Sequence, residues 1–188
     1  MQTYVILLRG INVGGKNKIP MGELRKCLED LQFSNVSTYI ASGNAIIHTD
    51  KQPAEVKELI EKSLIKSFKL NSELIKVLVL SYKQLQAVID HKPKGFGEQP
   101  DIYYSDVIFL IDADVKDALQ VFSPREGVDN IWPGNGVIYS QRLGAERTKS
   151  RLGKIVGTRV YKSMTIRNWT TTTKLLQLLE ERENAPKT

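Results

Sequence analysis

The stretch Asn35–Asp50, "NVSTYIASGNAIIHTD", decides how the rest of the chain is read. Two strand-like runs, Val36–Ile40 and Ala45–Thr49, flank a turn at Ser42, Gly43 and Asn44, which is the pattern of a β-hairpin. Upstream, Thr3–Leu8 is an apolar strand. Pro20 suits the first turn of a helix, and Met21, Leu24, Cys27, Leu28 and Leu31 recur at helical spacing to about Leu31. Downstream, Pro53 opens a second helix with the stripe Val56, Leu59, Ile60, Leu64 and Phe68, and "LIKVLVL" supplies the next strand. The order is βαββαβ, the split βαβ of ferredoxin-like domains.

The second half repeats this order with little sequence identity. After a helix at Tyr82–Asp90, "HKPKGFGEQPD" has proline and glycine but no period and reads as a loop or boundary. Then come the strand "YYSDVIFLI", the helix "DVKDALQVF", a hairpin in "DNIWPGNGVIYS", a basic helix at about Thr148–Tyr161, the strand "SMTIR" and the helix "NWTTTTKLLQLLEER". The expected fold is α+β: duplicated ferredoxin-like halves, antiparallel sheets with helices packed on one face, and a C-terminal helix. The expected domains are residues 1–90 and 103–188, joined by a linker or loop at 91–102.

With 188 residues, 41% apolar and 26% charged, the chain can bury a core and reads as a soluble protein. No apolar run approaches the ~18 residues of a membrane span, and strand-like sequence begins by Tyr4 without a signal segment, so no membrane partner and a cytoplasmic location are expected. A lone cysteine, Cys27, excludes an intrachain disulfide framework and shares the apolar stripe of the first helix. The net charge of +6 is unevenly placed: residues 142–174 hold nine basic residues against one acid, while the rest of the chain holds 18 against 20. Residues 1–22 add Arg9, Lys16 and Lys18 with no acid. Two concentrated basic segments favour an anionic partner.

Gly10, Gly15 and Lys16 in "RGINVGGKN" match the spacing G-x-x-x-x-G-K, and a strand precedes them as a phosphate-binding P-loop requires. Three features oppose that reading. Asn17 replaces the hydroxyl residue that reaches Mg²⁺, the helix starts near Pro20, too late to close on a phosphate, and the hairpin that follows is foreign to a parallel P-loop sheet. In a split βαβ unit this loop and the turn at Ser42, Gly43 and Asn44 emerge at the same end of the sheet. Arg9, Asn12, Gly14, Gly15 and Lys16 then face Ser42, Gly43 and Asn44, either as one wall of an anion site or, more plainly, as turn and loop-satisfying residues.

A second candidate wall lies in the basic segment. "TIRNWTTTTKLL" places Asn168 as an N-cap, with Arg167 beside it and Lys174 one turn on, while "RTKSRLGK" contributes Arg151. A well-capped helix and a solvated basic face are the alternatives. His48 and His91 belong to no catalytic pattern. Asp112 and Asp114 follow a strand end, where a metal or a helix cap would fit. An RNA-recognition sheet would carry aromatics on its central strands; "AIIHT" has none and "YVILL" only Tyr4, which leaves backbone contact by the basic segment as the route to nucleic acid.

With "LLRGINVGGKNKIPM" followed by Leu24, "NVSTYIASGNAI", "SRLGK" and "MTIRNWTTTTKLL", the whole chain resembles the conserved bacterial family catalogued as domain of unknown function 1697. Gln32 stands where that family usually ends its first helix with glycine. The resemblance implies the duplicated ferredoxin-like fold and no established activity.

The leading functional expectation is a protein that binds an anionic ligand: a nucleotide, a phosphorylated metabolite or a nucleic-acid backbone. An Mg²⁺-dependent enzyme, with Lys16 and a metal at Asp112 or Asp114, is one alternative. A module docking an acidic protein surface is the other. No cofactor and no oligomeric state follow from the residues.

Overall fold

The computed structural model describes residues 1–70 and 75–183. Leu74, which opens the expected fourth strand, and residues 184–188 of the expected second half lie outside the described residues. Four strands, β1 (Gln2–Arg9), β2 (Ser34–Tyr39), β3 (Asn44–Thr49) and β4 (Lys76–Ser81), form one antiparallel sheet in the order β2-β3-β1-β4. Four more, β5 (Tyr103–Leu110), β6 (Asp129–Pro133), β7 (Val137–Leu143) and β8 (Met164–Asn168), form another in the order β6-β7-β5-β8. The helices are α1 (Met21–Asp30), α2 (Pro53–Ser67), α3 (Tyr82–Asp90), α4 (Val115–Leu119) and α5 (Trp169–Glu183). The chain divides into two units: Met1–Leu85 joined by the chain from Leu175, and Gln86–Lys174. Among the described residues no helix is long and apolar enough to cross a membrane.

In the first unit β1 is bonded on both sides, and every residue from Thr3 to Arg9 is buried. Period-two geometry sends Tyr4, Ile6 and Leu8 to one face. There they join Leu24, Cys27 and Leu28 of α1 and Val56, Ile60 and Leu64 of α2 in a single apolar cluster. Val5 and Leu7, pointing the other way, are equally buried, so helices on one face do not account for the whole core. Pro53 occupies the first turn of α2, where its missing N–H costs nothing. The first helix ends as its sequence suggests except that the left-handed position belongs to Gln32, at φ +65°. Ile40, expected in the second strand, lies past its end in a left-handed conformation, φ +48°. Within the same unit Arg182 of α5 donates to Asn35 O and Ser37 Oγ of β2, and Tyr82 OH donates to Glu180 at 3.2 Å.

The second unit repeats the strand order with different padding. Ile108 and Leu110 of β5, Ile138 of β7 and Met164 of β8 pack with Ala118 of α4 and with Ile155. The helix expected over Thr148–Tyr161 does not form; three 3₁₀ turns, Gly144–Lys149, Leu152–Gly157 and Val160–Ser163, take its place. Gly153 and Gly157 each cost a helix about 1 kcal/mol, and only Ile155 of this stretch is fully buried, so no continuous apolar stripe offsets that cost. The segment at 91–102 belongs to this unit. Phe96 is 1% exposed, with edge-on contacts to Trp132, Tyr139 and Trp169 at centroid distances of 6.2, 5.2 and 5.3 Å. Gly97, at φ +76°, passes so close to Trp169 that a Cβ there would lie 2.2 Å from the indole.

One backbone detail occurs in both units. Leu8 N donates to Gly43 O at 2.7 Å, and Leu110 N donates to Gly136 O at 3.0 Å. Each bond ties the end of a central strand to the turn of the neighbouring hairpin.

Candidate functional site

The β1–α1 loop of the first unit meets the β2–β3 turn, as topology requires, and its polar residues act mainly on each other. Asn12, in the left-handed region at φ +55°, donates through Nδ2 to Ile19 O at 3.0 Å and Ala41 O at 2.9 Å and accepts from Ile19 N at 2.8 Å. Its amide therefore brackets both ends of the loop and the adjoining turn. Asn17 donates to Gly10 O at 2.8 Å. Gly14 and Gly15, with φ of +57° and +76°, are the central residues of a tight turn closed by Lys16 N donating to Val13 O at 3.0 Å. Positive φ at both central positions is the hairpin-turn requirement, and it explains the glycine pair without a phosphate. Pro20 caps α1 through its backbone geometry, and the helix begins at Met21, five residues beyond Lys16. The P-loop geometry is absent.

In the turn, Asn44 is fully buried and donates to Tyr39 O at 2.9 Å and Ser42 Oγ at 3.0 Å. Gly43 fits because a side chain would meet Ile11 Cδ1 at 2.8 Å. Arg9 is 9% exposed at the end of β1, whereas Lys16 is exposed at the loop tip.

The second set of expected residues divides within its own unit. Arg167 lies in β8, 6% exposed, donating to Thr165 Oγ1 at 2.9 Å and Ile166 O at 2.8 Å; burial pulls its guanidinium down to about 10. Ile166 packs against the cluster that contains Ile155, so its neighbour Arg167 faces the opposite side of the sheet from that part of the 3₁₀ segment. Asn168 is the N-cap of α5, accepting from Thr171 N at 2.7 Å, and the hydroxyls of Thr172 and Thr173 bond back to helix carbonyls. Lys174 is half-buried on the same helix. Of the two aspartates, Asp114 is a helix cap, accepting from Lys116 N at 2.7 Å. Among the described residues no group of three or more His, Cys, Asp or Glu side chains is arranged to hold a metal.

The structure adds a constellation that the sequence reading did not single out. In β5, Leu110 and Ile108 face the core, and the same face continues outward through Asp106 to Tyr104. Arg142 of β7 stands directly opposite Tyr104 and donates to Asp106 Oδ2 at 2.9 Å. Burial pushes the Asp106 carboxyl up, against the opposing charge and hydrogen bond of Arg142. Arg142 and Arg147 place their guanidinium carbons 5.7 and 6.0 Å from the centre of the Tyr104 ring, within cation–π range. With Thr148 these residues line an open depression of about 320 Å³.

Local geometry holds this arrangement in place. Gly144 N donates to Ile102 O at 2.8 Å, and a Cβ on Gly144 would come within 3.0 Å of that carbonyl. Asp129, paired across the sheet with Arg142, accepts from Arg125 N and Arg151 N at 3.0 and 2.9 Å and so anchors the junction between the first two 3₁₀ turns. Burial alone would raise the Asp129 carboxyl; the Arg151 N–H, the Ser150 hydroxyl, the Arg125 N–H and the Arg142 charge hold it below its usual range. A signal for the constellation was present in the sequence: a carboxylate at a core-facing strand position calls for a cation across the ladder.

An α+β chain of two four-stranded antiparallel sheets, helices and a C-terminal helix is the class that these elements define. The chain belongs to the family described as "Protein of unknown function (DUF1697)", whose model matches residues 1–139. Among solved structures it is similar to the conserved bacterial protein SP0830 from Streptococcus pneumoniae, at 28% identity and a TM-score of 0.77, over 95% of this chain and 98% of that one. No curated protein matches the chain.

Proposed function

We propose that this protein binds an anionic ligand, and that the depression lined by Tyr104, Arg142, Arg147 and Thr148 is where it binds. The observation that carries the reading is the pair of guanidinium groups over one tyrosine ring at an open surface. Arg142 is oriented by its bond to Asp106 and already compensates that carboxylate. Arg147 is exposed, so its charge serves an incoming anion with little desolvation cost. Arg151, exposed in the next turn, extends the positive surface.

The residues of the β1–α1 loop and the β2–β3 turn are assigned to shaping the first unit, because Asn12 and Asn44 spend their amides on backbone carbonyls. Identical strand orders and the matched Leu8–Gly43 and Leu110–Gly136 bonds support two ferredoxin-like halves related by duplication. In the second, the 3₁₀ turns replace the second helix.

Calorimetric titration with inorganic pyrophosphate at low salt tests the function. Arg147→Ala should weaken binding about tenfold or more, as loss of a charge-assisted hydrogen bond does. Lys62→Ala, an exposed lysine of α2 in the first unit, should leave it unchanged. Unaltered affinity in folded Arg147→Ala would overturn the assignment.

A further inference from the structure

The exposed charge of the second unit exceeds what a compact anion in the depression would use. Beyond Arg147, the three 3₁₀ turns and their junctions expose Lys149, Arg151, Lys154, Arg159 and Lys162. The segment's one acid, Glu146, is bridged to Lys149 at 2.5 Å. Cations spread along some 16 consecutive residues match a partner whose negative charge is also spread along a chain.

The aromatic component narrows the class. Tyr104 is 47% exposed, although large apolar rings are more often covered, and the guanidinium groups of Arg142 and Arg147 lie over it. An exposed ring flanked by arginines offers flat π and cationic surfaces on which an unstacked base can lie, and a duplex keeps its bases out of reach of such a platform. The geometry points to single-stranded nucleic acid as the ligand. One base stacks at Tyr104 and Arg147, and successive phosphates run along Lys149, Arg151, Lys154, Arg159 and Lys162. This rests on the anion-binding reading above and commits it to a polymer with bases.

Fluorescence anisotropy with a labelled 12-nucleotide oligo(dT) tests it, competed by an abasic oligomer of equal phosphate number and by poly-glutamate of equal charge. Oligo(dT) should bind, with log K falling linearly in log salt by about 0.7 per phosphate neutralised. Tyr104→Leu, which keeps apolar bulk without a ring, should weaken oligo(dT) about tenfold and leave the abasic oligomer unaffected; Tyr104→Phe should restore binding. Lys154→Ala and Lys162→Ala should weaken both oligomers and each flatten the salt slope by about 0.7. If the abasic oligomer or poly-glutamate competes as well as oligo(dT), and Tyr104→Leu changes nothing, the nucleic-acid inference falls while anion binding stands. If neither oligonucleotides nor pyrophosphate bind, both fall.

Discussion

At one equivalent place the two sheets carry opposite chemistry. Where Tyr104 of β5 faces Arg142 of β7, the first unit pairs Gln2 of β1 with Thr49 of β3. Where Asp106 stands next along β5, the first unit has Tyr4, whose hydroxyl donates to Gln2 at 2.6 Å. Backbone and register are alike, yet one unit closes this corner with neutral side chains and the other fills it with two arginines, a carboxylate and an exposed ring. Hydrogen bonding sets the shared frame, and side chains on the strand ends decide whether the corner is neutral or charged. The opposite contrast holds at the hairpin turns. Gly43 is crowded by Ile11 and Leu8, while Gly136, at φ +69°, has nothing within 4 Å of where its Cβ would be.

That contrast predicts the largest difference. Gly43→Ala should cost about 3 kcal/mol, from left-handed strain plus overpacking, and Gly136→Ala about 1 kcal/mol from strain alone. Urea denaturation measures both, and equal losses would mean that the first turn relaxes around the added methyl.

Arg142→Ala should cost about 2 kcal/mol at neutral pH, because it leaves a buried carboxylate without its cation. The pH dependence has a defined sign. Since Asp106 already titrates above its unfolded value, its favourable contribution is full below the ordinary carboxylate pKa and is lost as pH rises through the raised one. Losing Arg142 raises that value further, so the variant's deficit should grow with pH through the acid range and vanish where Asp106 is protonated. Thr49→Ala at the matching position should cost under about 1 kcal/mol at every pH.

The smallest effect concerns helix ends. Gln32→Gly should stabilise the protein by about 0.5–1 kcal/mol by relieving a left-handed non-glycine residue. Gln120→Gly, at the right-handed end of α4, should destabilise it by a few tenths. Thermal melts would resolve the opposite signs.

Much of the architecture was legible from local signals. The hairpin at Asn35–Asp50, the prolines opening helices and the period of Val56, Ile60 and Leu64 each name an element through neighbours within a few residues. The contact between the β1–α1 loop and the β2–β3 turn followed from topology alone. The basic residues of 148–161 suit a helix, yet the stretch folds as 3₁₀ turns. Gly153, Gly157 and the absence of an apolar stripe were the better guide.

By itself the sequence determined the succession of strands along the chain, the concentration of positive charge in residues 142–174 and the asparagine cap of α5, because each depends on residues close along the chain. Only the tertiary structure decided that Arg167 is buried while Arg147 is exposed. It alone showed that Asn12 is spent on its own loop and the adjoining turn, and that Tyr104 and Arg142, 38 residues apart in sequence, share one corner of a sheet. A side chain's charge is written in the chain, but whether that charge meets water, a carboxylate or a ring depends on which strands pair and in what register.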